Sequence, residues 1–374
     1  MEFQLDSQTT ERSPLRPRQR PPTTLRNLGH RQIEGLCAAV GIPEQLDRAI
    51  AAFNILSNTW GDRSVDGPRF KSDITDDSSP YEFSFGLDDQ GFELRVLVEA
   101  QGSEGTPLAQ WNAGWRLNEQ LAQRYKLSLT RARLLAPLFQ PQTPGLTFAL
   151  WHAASFRSTE PAFRIYFNPQ AQGRSNAMSL VLKALETLGM FGAAAWMRSH
   201  FAQSDANPIY FSLDLSDGPT ARCKVYFAHP GATADGLESL LGGLGGHPPG
   251  HIRSFCQEMI GTTSPSPSRP IQSCLAFRGS SDLPCTITLH VPMRCYAPND
   301  QVALERITTQ LTPEEARAYS RGVHSLARRS LDKSAGIQTY ASVRRENGRR
   351  RMTFYLSPEV YSTPWSTARR PGRG

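Results

Sequence analysis

No two of the six cysteines (positions 37, 223, 256, 274, 285 and 295) stand in a C-x-x-C pair. That spacing argues against a zinc site or a disulfide framework, and for reduced thiols in a cytoplasm. No stretch approaches eighteen apolar residues, so no helix here is built to span a membrane. The first residues, MEFQLDSQTTERSPLRPRQRPP, have no apolar segment and do not read as a secretory signal. No P-loop, no G-x-G-x-x-G after a strand, no H-E-x-x-H and no G-x-S-x-G occurs. The common signatures of nucleotide, zinc-protease and serine-hydrolase chemistry are therefore missing. So are paired D-D-x-x-D motifs, whose carboxylates hold magnesium: Asp76-Asp77 continue as SSP and Asp88-Asp89 as QGF, in turn-like settings.

What is present is globular composition: 39% apolar, 9% aromatic and 20% charged residues in 374. The formal charge of +7 is concentrated at the ends, in RSPLRPRQRPPTTLR at the front and RRENGRRR and ARRPGRG at the back. Basic ends can touch nucleic acid, but without a zinc-finger or RNP motif they read as solvated tails. Residues 1–27 and 363–374 are therefore expected to be basic tails, the first disordered, and 28–362 one domain.

Helical periodicity opens that domain in RQIEGLCAAV and EQLDRAIAAFNILSNTW. YEFSFGL and FELRVLVEA then alternate as two strands around the turn DDQG. The same order recurs: a helical stretch from Leu108 to Leu138 precedes LTFALWHAA and FRIYFNP, and NAMSLVLKALETLGMFGAAAWMRSHF precedes PIYFSLDLS and ARCKVYFAH. A Gly-rich helical region leads to IQSCLAFRG and CTITLHVPM, and helices over 300–331 lead to GIQTYASVRR and RRMTFYLSPEVY. The second strands centre near 95, 164, 224, 290 and 355, a repeat of one supersecondary unit. Ten antiparallel strands can form an open sheet with exposed edges or a closed barrel without them; covering helices after every hairpin favour the barrel. The fold class is α+β.

Alternate side chains on a strand share a face. Arg164 and Tyr166 share one face, as do Arg222, Lys224 and Tyr226, while Phe163, Ile165, Phe167, Cys223, Val225 and Phe227 share the other. With the apolar set under the helices, cations and tyrosines line a lumen. That pattern implies an anionic ligand with a part that an aromatic face can hold.

In order along the chain, DDSSPYEFSF, ELRVLVE, FRIYF, RCKVYF, TITLHVPMRCYAPND, QTYASV and MTFYLSPEVY resemble the dimethylallyltryptophan synthase family of aromatic prenyltransferases, over about residues 30–360. The resemblance implies an ABBA barrel of five αββα repeats, and transfer of a dimethylallyl or longer prenyl group from its diphosphate to an indole. The acceptor would be tryptophan, a tryptophan-containing peptide or an indole alkaloid; the alternatives are a phenolic acceptor or a non-catalytic barrel that binds an anion or nucleic acid. It further implies Glu82 as the carboxylate holding the indole N–H. Arg95, Arg164, Arg222, Lys224, Thr288 and His290 would be the diphosphate ligands. Tyr166, Tyr226, Tyr340 and Tyr355 would be the tyrosines that shield the allyl cation. Trp151 and His152 would belong to the acceptor pocket. Basic residues would replace a metal, with no cofactor beyond the prenyl diphosphate co-substrate, no nucleic acid or membrane partner, and a monomer or homodimer. This chain departs from the family at three places. Thr288 and His290 stand where fungal members carry Gln-x-Tyr. Trp151 stands thirteen residues before Arg164, where fungal tryptophan enzymes often have lysine. Ile209 stands thirteen before Arg222, where they have an arginine for the substrate carboxylate, which favours a larger indole over free tryptophan.

Overall fold

The structure, a computed structural model, describes residues 23–157, 160–261, 269–279 and 281–361. Ten strands form one closed antiparallel barrel in which each strand pairs with its sequence neighbours and β10 pairs with β1. The strands come as five hairpins: β1 (Tyr81–Asp88) with β2 (Gly91–Glu99), β3 (Leu150–Phe156) with β4 (Ala162–Phe167), β5 (Asn207–Asp214) with β6 (Arg222–His229), β7 (Ile271–Arg278) with β8 (Thr286–Val291), and β9 (Gln338–Glu346) with β10 (Arg349–Leu356). Helices precede each hairpin: α1 (Leu25–Val40) and α2 (Leu46–Leu56), then α3 (Pro107–Tyr125) and α4 (Thr130–Phe139), then α5 (Ala177–Thr187) and α6 (Phe191–His200). The later ones are α7 (Ala234–Leu241) and α8 (His251–Ile260), and α9 (Met293–Tyr296), α10 (Asp300–Thr308) and α11 (Pro313–Leu326).

Period-2 alternation sets the two faces. Phe83, Phe85, Leu94, Val96, Phe163, Ile165, Phe211, Val225, Leu275, Leu289, Val343 and Phe354 all join the apolar layer under the helices. Two glycines let helices settle against it. A Cβ on Gly114 of α3 would come within 2.7 Å of Leu150, and one on Gly322 of α11 within 2.8 Å of Phe85.

Two boundaries differ from the sequence reading. The helical stretch 108–138 is two helices, because Lys126 takes left-handed backbone (φ 53°) and ends α3. The helices expected over 300–331 meet where Thr312 starts α11 with a reciprocal capping box to Glu315. The first tail was drawn too long: Thr24 caps α1, so residues 25–27 are helical, and 1–22 and 362–374 lie outside the described residues. At the last hairpin, Asn347 and Gly348 both have positive φ (53° and 76°), the two-residue turn that Asn-Gly specifies.

Candidate active site

The lumen has two chemically distinct ends. At the end where the hairpin turns lie, arginines and carboxylates interleave. Arg95 Nη2 is 2.7 Å from Glu93 Oε2, Arg164 Nε 2.7 Å from Asp214 Oδ1, and Arg222 Nε 2.9 Å from Asp214 Oδ2. Arg344 Nη2 stands 3.1 Å from Glu346 Oε2, and Arg351 reaches Asp88 at 3.0 Å and Glu93 at 3.4 Å. Arg157 and Arg278 extend the network to Asp88 and Glu346, both at 2.8 Å. Among the described residues, seven arginines thus share four carboxylates, an excess of three positive charges. Burial alone would push the Glu93 carboxyl up, but Arg95, Arg157 and Arg351 hold it down at about 2. Asp214 is held far below the usual carboxylate range, since Arg164, Arg222 and Lys224 outweigh its burial. Burial, and then Arg95 and Arg351, lower Arg344 to about 10.

Above this network runs a girdle of aromatic rings. Trp151 and Tyr210 have centroids 5.3 Å apart, Tyr210 and Tyr226 5.6 Å, and Tyr166 and Tyr226 5.9 Å. The girdle continues from Tyr226 to His290 at 5.9 Å, His290 to Tyr355 at 5.7 Å, and Tyr355 to Tyr340 at 6.2 Å. His290 occupies the place in the ring where a tyrosine was missed in the sequence.

At the far end, Glu82 of β1 is 6% exposed and accepts a 2.6 Å hydrogen bond from the Thr339 hydroxyl. Burial raises its carboxyl to about 7, against the opposing pull of that bond and of Arg269. Asp73, Arg269, Gln272 and Tyr340 line the same end. Trp151 donates its indole N–H to Glu99 Oε1 at 3.1 Å, which fixes it as a wall. The Glu99 carboxyl, also raised to about 7 by burial, shows that this barrel already holds one indole with a buried carboxylate.

Of the residues singled out in the sequence, Glu82, Arg95, Trp151, Arg164, Tyr166, Lys224, Tyr226, Thr288, His290, Tyr340 and Tyr355 all line this one cavity. Arg222 stands at the end of the Lys224 row, tied to Asp214. His152 does not belong. It faces the helices, fully buried, with its Nε2 2.9 Å from Asn118 Oδ1 of α3, and burial lowers it to about 3. Strand parity decides this: neighbours on β3 cannot both face the lumen, and Trp151 does. Position 209 fails for a related reason. Tyr210, opposite Tyr226 in the regular β5–β6 register, faces the lumen, so Ile209 beside it does not line the cavity; the register shifts only beyond Tyr210, towards Pro208. The carboxylates Glu93, Asp214 and Glu346 were missed, and so was Arg344. Glu93 shares parity with Arg95, and Arg344 and Glu346 with Tyr340, so alternation could have found those three; Asp214 stands on β5, where no lumen-facing residue had been chosen.

A closed barrel with an arginine-rich end, an aromatic girdle and the buried carboxylate of Glu82 beyond it defines an aromatic prenyltransferase. The sequence profile of the tryptophan dimethylallyltransferase family matches residues 57–321, and the chain belongs to that family. It is 28% identical to a 6-dimethylallyltryptophan synthase from Micromonospora olivasterospora, solved with DMASPP and Trp (TM-score 0.85, covering 91% of this chain and 99% of that one). It is 25% identical to a 5-dimethylallyltryptophan synthase from Streptomyces coelicolor, also solved with DMASPP and Trp (TM-score 0.84, 94% and 100% covered). AnaPT from Neosartorya fischeri shares the fold at 14% identity (TM-score 0.76, 90% and 95% covered). Among the described residues no helix is long and apolar enough to cross a membrane, and no three His, Cys, Asp or Glu side chains cluster as metal ligands.

Proposed function

We propose that this enzyme transfers a dimethylallyl group from its diphosphate to a carbon or the nitrogen of an indole, with L-tryptophan as the first acceptor to test. The observation that carries the reading is the single cavity holding both the arginine-rich end and Glu82, separated by the aromatic girdle. Arg95, Arg164, Arg222 and Lys224, with Thr288 and His290, receive the diphosphate. The excess of three charges among the arginines equals the charge of the fully ionised ester. The C1–O bond of the ester breaks with its electron pair leaving on the diphosphate, and positive donors aimed at that growing charge stabilise it strongly in a dry site. Tyr166, Tyr226, Tyr340 and Tyr355 keep water from the allyl cation and offer it their ring faces. Glu82 accepts the indole N–H and raises the electron density of the ring. The new bond forms, and the ring then loses a proton to restore aromaticity. Arg269, lining the acceptor end, is placed to meet a carboxylate on the acceptor.

The relatives solved with tryptophan bound support an amino-acid acceptor over the larger indoles that the departures at Trp151 and Ile209 suggested. The arginine network supports ionisation without a divalent cation. The test incubates purified protein with dimethylallyl diphosphate and L-tryptophan, its N-methyl analogue, a tryptophan-containing peptide or a naphthol, with and without EDTA. The reading requires a C5H8 mass gain on an indole that EDTA leaves intact. A product on the naphthol alone, or activity lost to EDTA and restored by magnesium, overturns it.

A further inference from the structure

Every arginine of the donor end lies within ion-pair distance of a carboxylate. The two titratable bases there, Lys224 of β6 and His290 of β8, have no such partner among the described residues. The distinction follows their chemistry. A guanidinium stays charged in any protein setting and so must bring a counter-charge; an amine or imidazole can lose its proton instead. Both are 6% exposed, and His290 Nε2, buried inside the cavity, has no hydrogen-bond partner.

The groups facing His290 are the cations Lys224 and Arg344, the rings of Tyr226 and Tyr355, and its register neighbours Gln272 on β7 and Ser342 on β9. Burial, then those two cations, hold its imidazole at about 3, so it is neutral in the empty enzyme at neutral pH. Lys224 faces Arg222, Arg164, Cys274 and Asp214, and burial, then the two arginines, lower it well below the ordinary lysine value. An arriving diphosphate reverses the sign of the field at both groups. It replaces repulsion from cations with attraction to oxygens at hydrogen-bond range, which favours the protonated forms.

We propose that the donor charges its own site: as the diphosphate enters, His290 takes a proton from solvent, and the resulting imidazolium, beside Lys224, donates a hydrogen bond to its oxygens. The new N–H bond is made with a proton from water or buffer, and that proton returns to solvent when diphosphate leaves. The inference rests on the donor-site reading above. It gives His290 a use that tyrosine, the residue fungal members carry there, lacks. The empty barrel avoids a further unpaired buried charge, yet the full one gains a charge-assisted donor against the leaving group.

The test is calorimetric titration of the intact enzyme with the thiolo analogue of dimethylallyl diphosphate at pH 8, where the analogue is already ionised. Running it in buffers of different ionisation heat counts protons. Wild type is expected to take up about one proton or more per analogue, and His290→Gln or His290→Tyr about one fewer. The pH dependence of the wild-type Kd gives the same count without a variant, with binding weakening as pH rises. Uptake of zero, or uptake unchanged by both His290 variants, overturns the inference while leaving donor binding intact. Failure of the analogue to bind overturns the donor-site reading, and this inference with it.

Discussion

Glu82 is asked to do two incompatible things. Catalysis wants it ionised against an indole N–H; the empty site wants it neutral, because its carboxyl is raised from 4.5 to about 7 by burial. A carboxyl raised in the folded state supports stability below its unfolded value, and that support is lost as pH rises through 7. At pH 8 the ionised side chain therefore costs the empty protein about 3 kcal/mol as an upper bound. Glu82→Gln should raise the melting temperature at pH 8 and leave it nearly unchanged at pH 4. The same substitution should lower kcat on the order of 10²-fold, since a neutral amide cannot strengthen its hydrogen bond as positive charge builds on the ring. Both signs are needed; a variant that is fully active, or destabilised at pH 8, contradicts the assignment. The pH profile gives an independent check. In wild type, kcat/KM for the acceptor should fall below pH 7, and Glu82→Gln should lose that limb while keeping its low plateau.

At the scale of elements, the network at the turn end holds neighbouring strands in register. Asp214 at the close of β5 accepts from Arg164 on β4 and Arg222 on β6, and so ties three strands together. Asp214→Asn should destabilise the empty enzyme by about 3–5 kcal/mol, because two buried guanidinium groups lose their shared counter-charge. Inorganic pyrophosphate should then raise the melting temperature more in the variant than in wild type, as the anion supplies the missing charge. An equal shift in both would show that Asp214 and the anion do not act on the same cations. His152 makes the opposite kind of tie, from β3 out to α3 through Asn118. His152→Ala should cost about 1–3 kcal/mol by leaving a buried amide unsatisfied, with kcat within about twofold of wild type. A large loss of kcat with stability intact would return this histidine to the site. The lesson of these two residues is that parity was legible in the sequence and partnership was not. FRIYF and RCKVYF announced their lumen faces, but nothing in either segment said that an aspartate from between them would hold both.

The whole barrel depends on closure. β10 pairs with β1 in a register from Phe83–Leu356 to Leu87–Met352, joining segments some 270 residues apart. A chain ending at residue 348 would leave β1 and β9 as open edges and the lumen open to water along its length. Such a chain should lose its cooperative thermal transition altogether rather than melt a few degrees lower, as circular dichroism would show. A retained transition would mean that nine strands suffice.

The sequence by itself determined the repeat, the alternation and the order of the motifs, because strand parity and helical periodicity are local properties written residue by residue. Those were enough for the ten strands, the barrel and the Arg164–Tyr166 and Arg222–Lys224–Tyr226 rows, while Glu82 and the rest of the cavity lining came from the ordered resemblance to the family. Only the tertiary structure decided which side chains meet: Asp214 with two arginines, Glu93 with Arg95, Trp151 with Glu99, and, among the described residues, Lys224 and His290 with no carboxylate at ion-pair distance. It also decided where the β5–β6 register slips, between Pro208 and Tyr210. These outcomes depend on strands brought side by side by closure, and on the depth of burial that closure creates. The energy of a charge depends on that depth and on its neighbours across space, and neither is a property of the residues next to it in the chain.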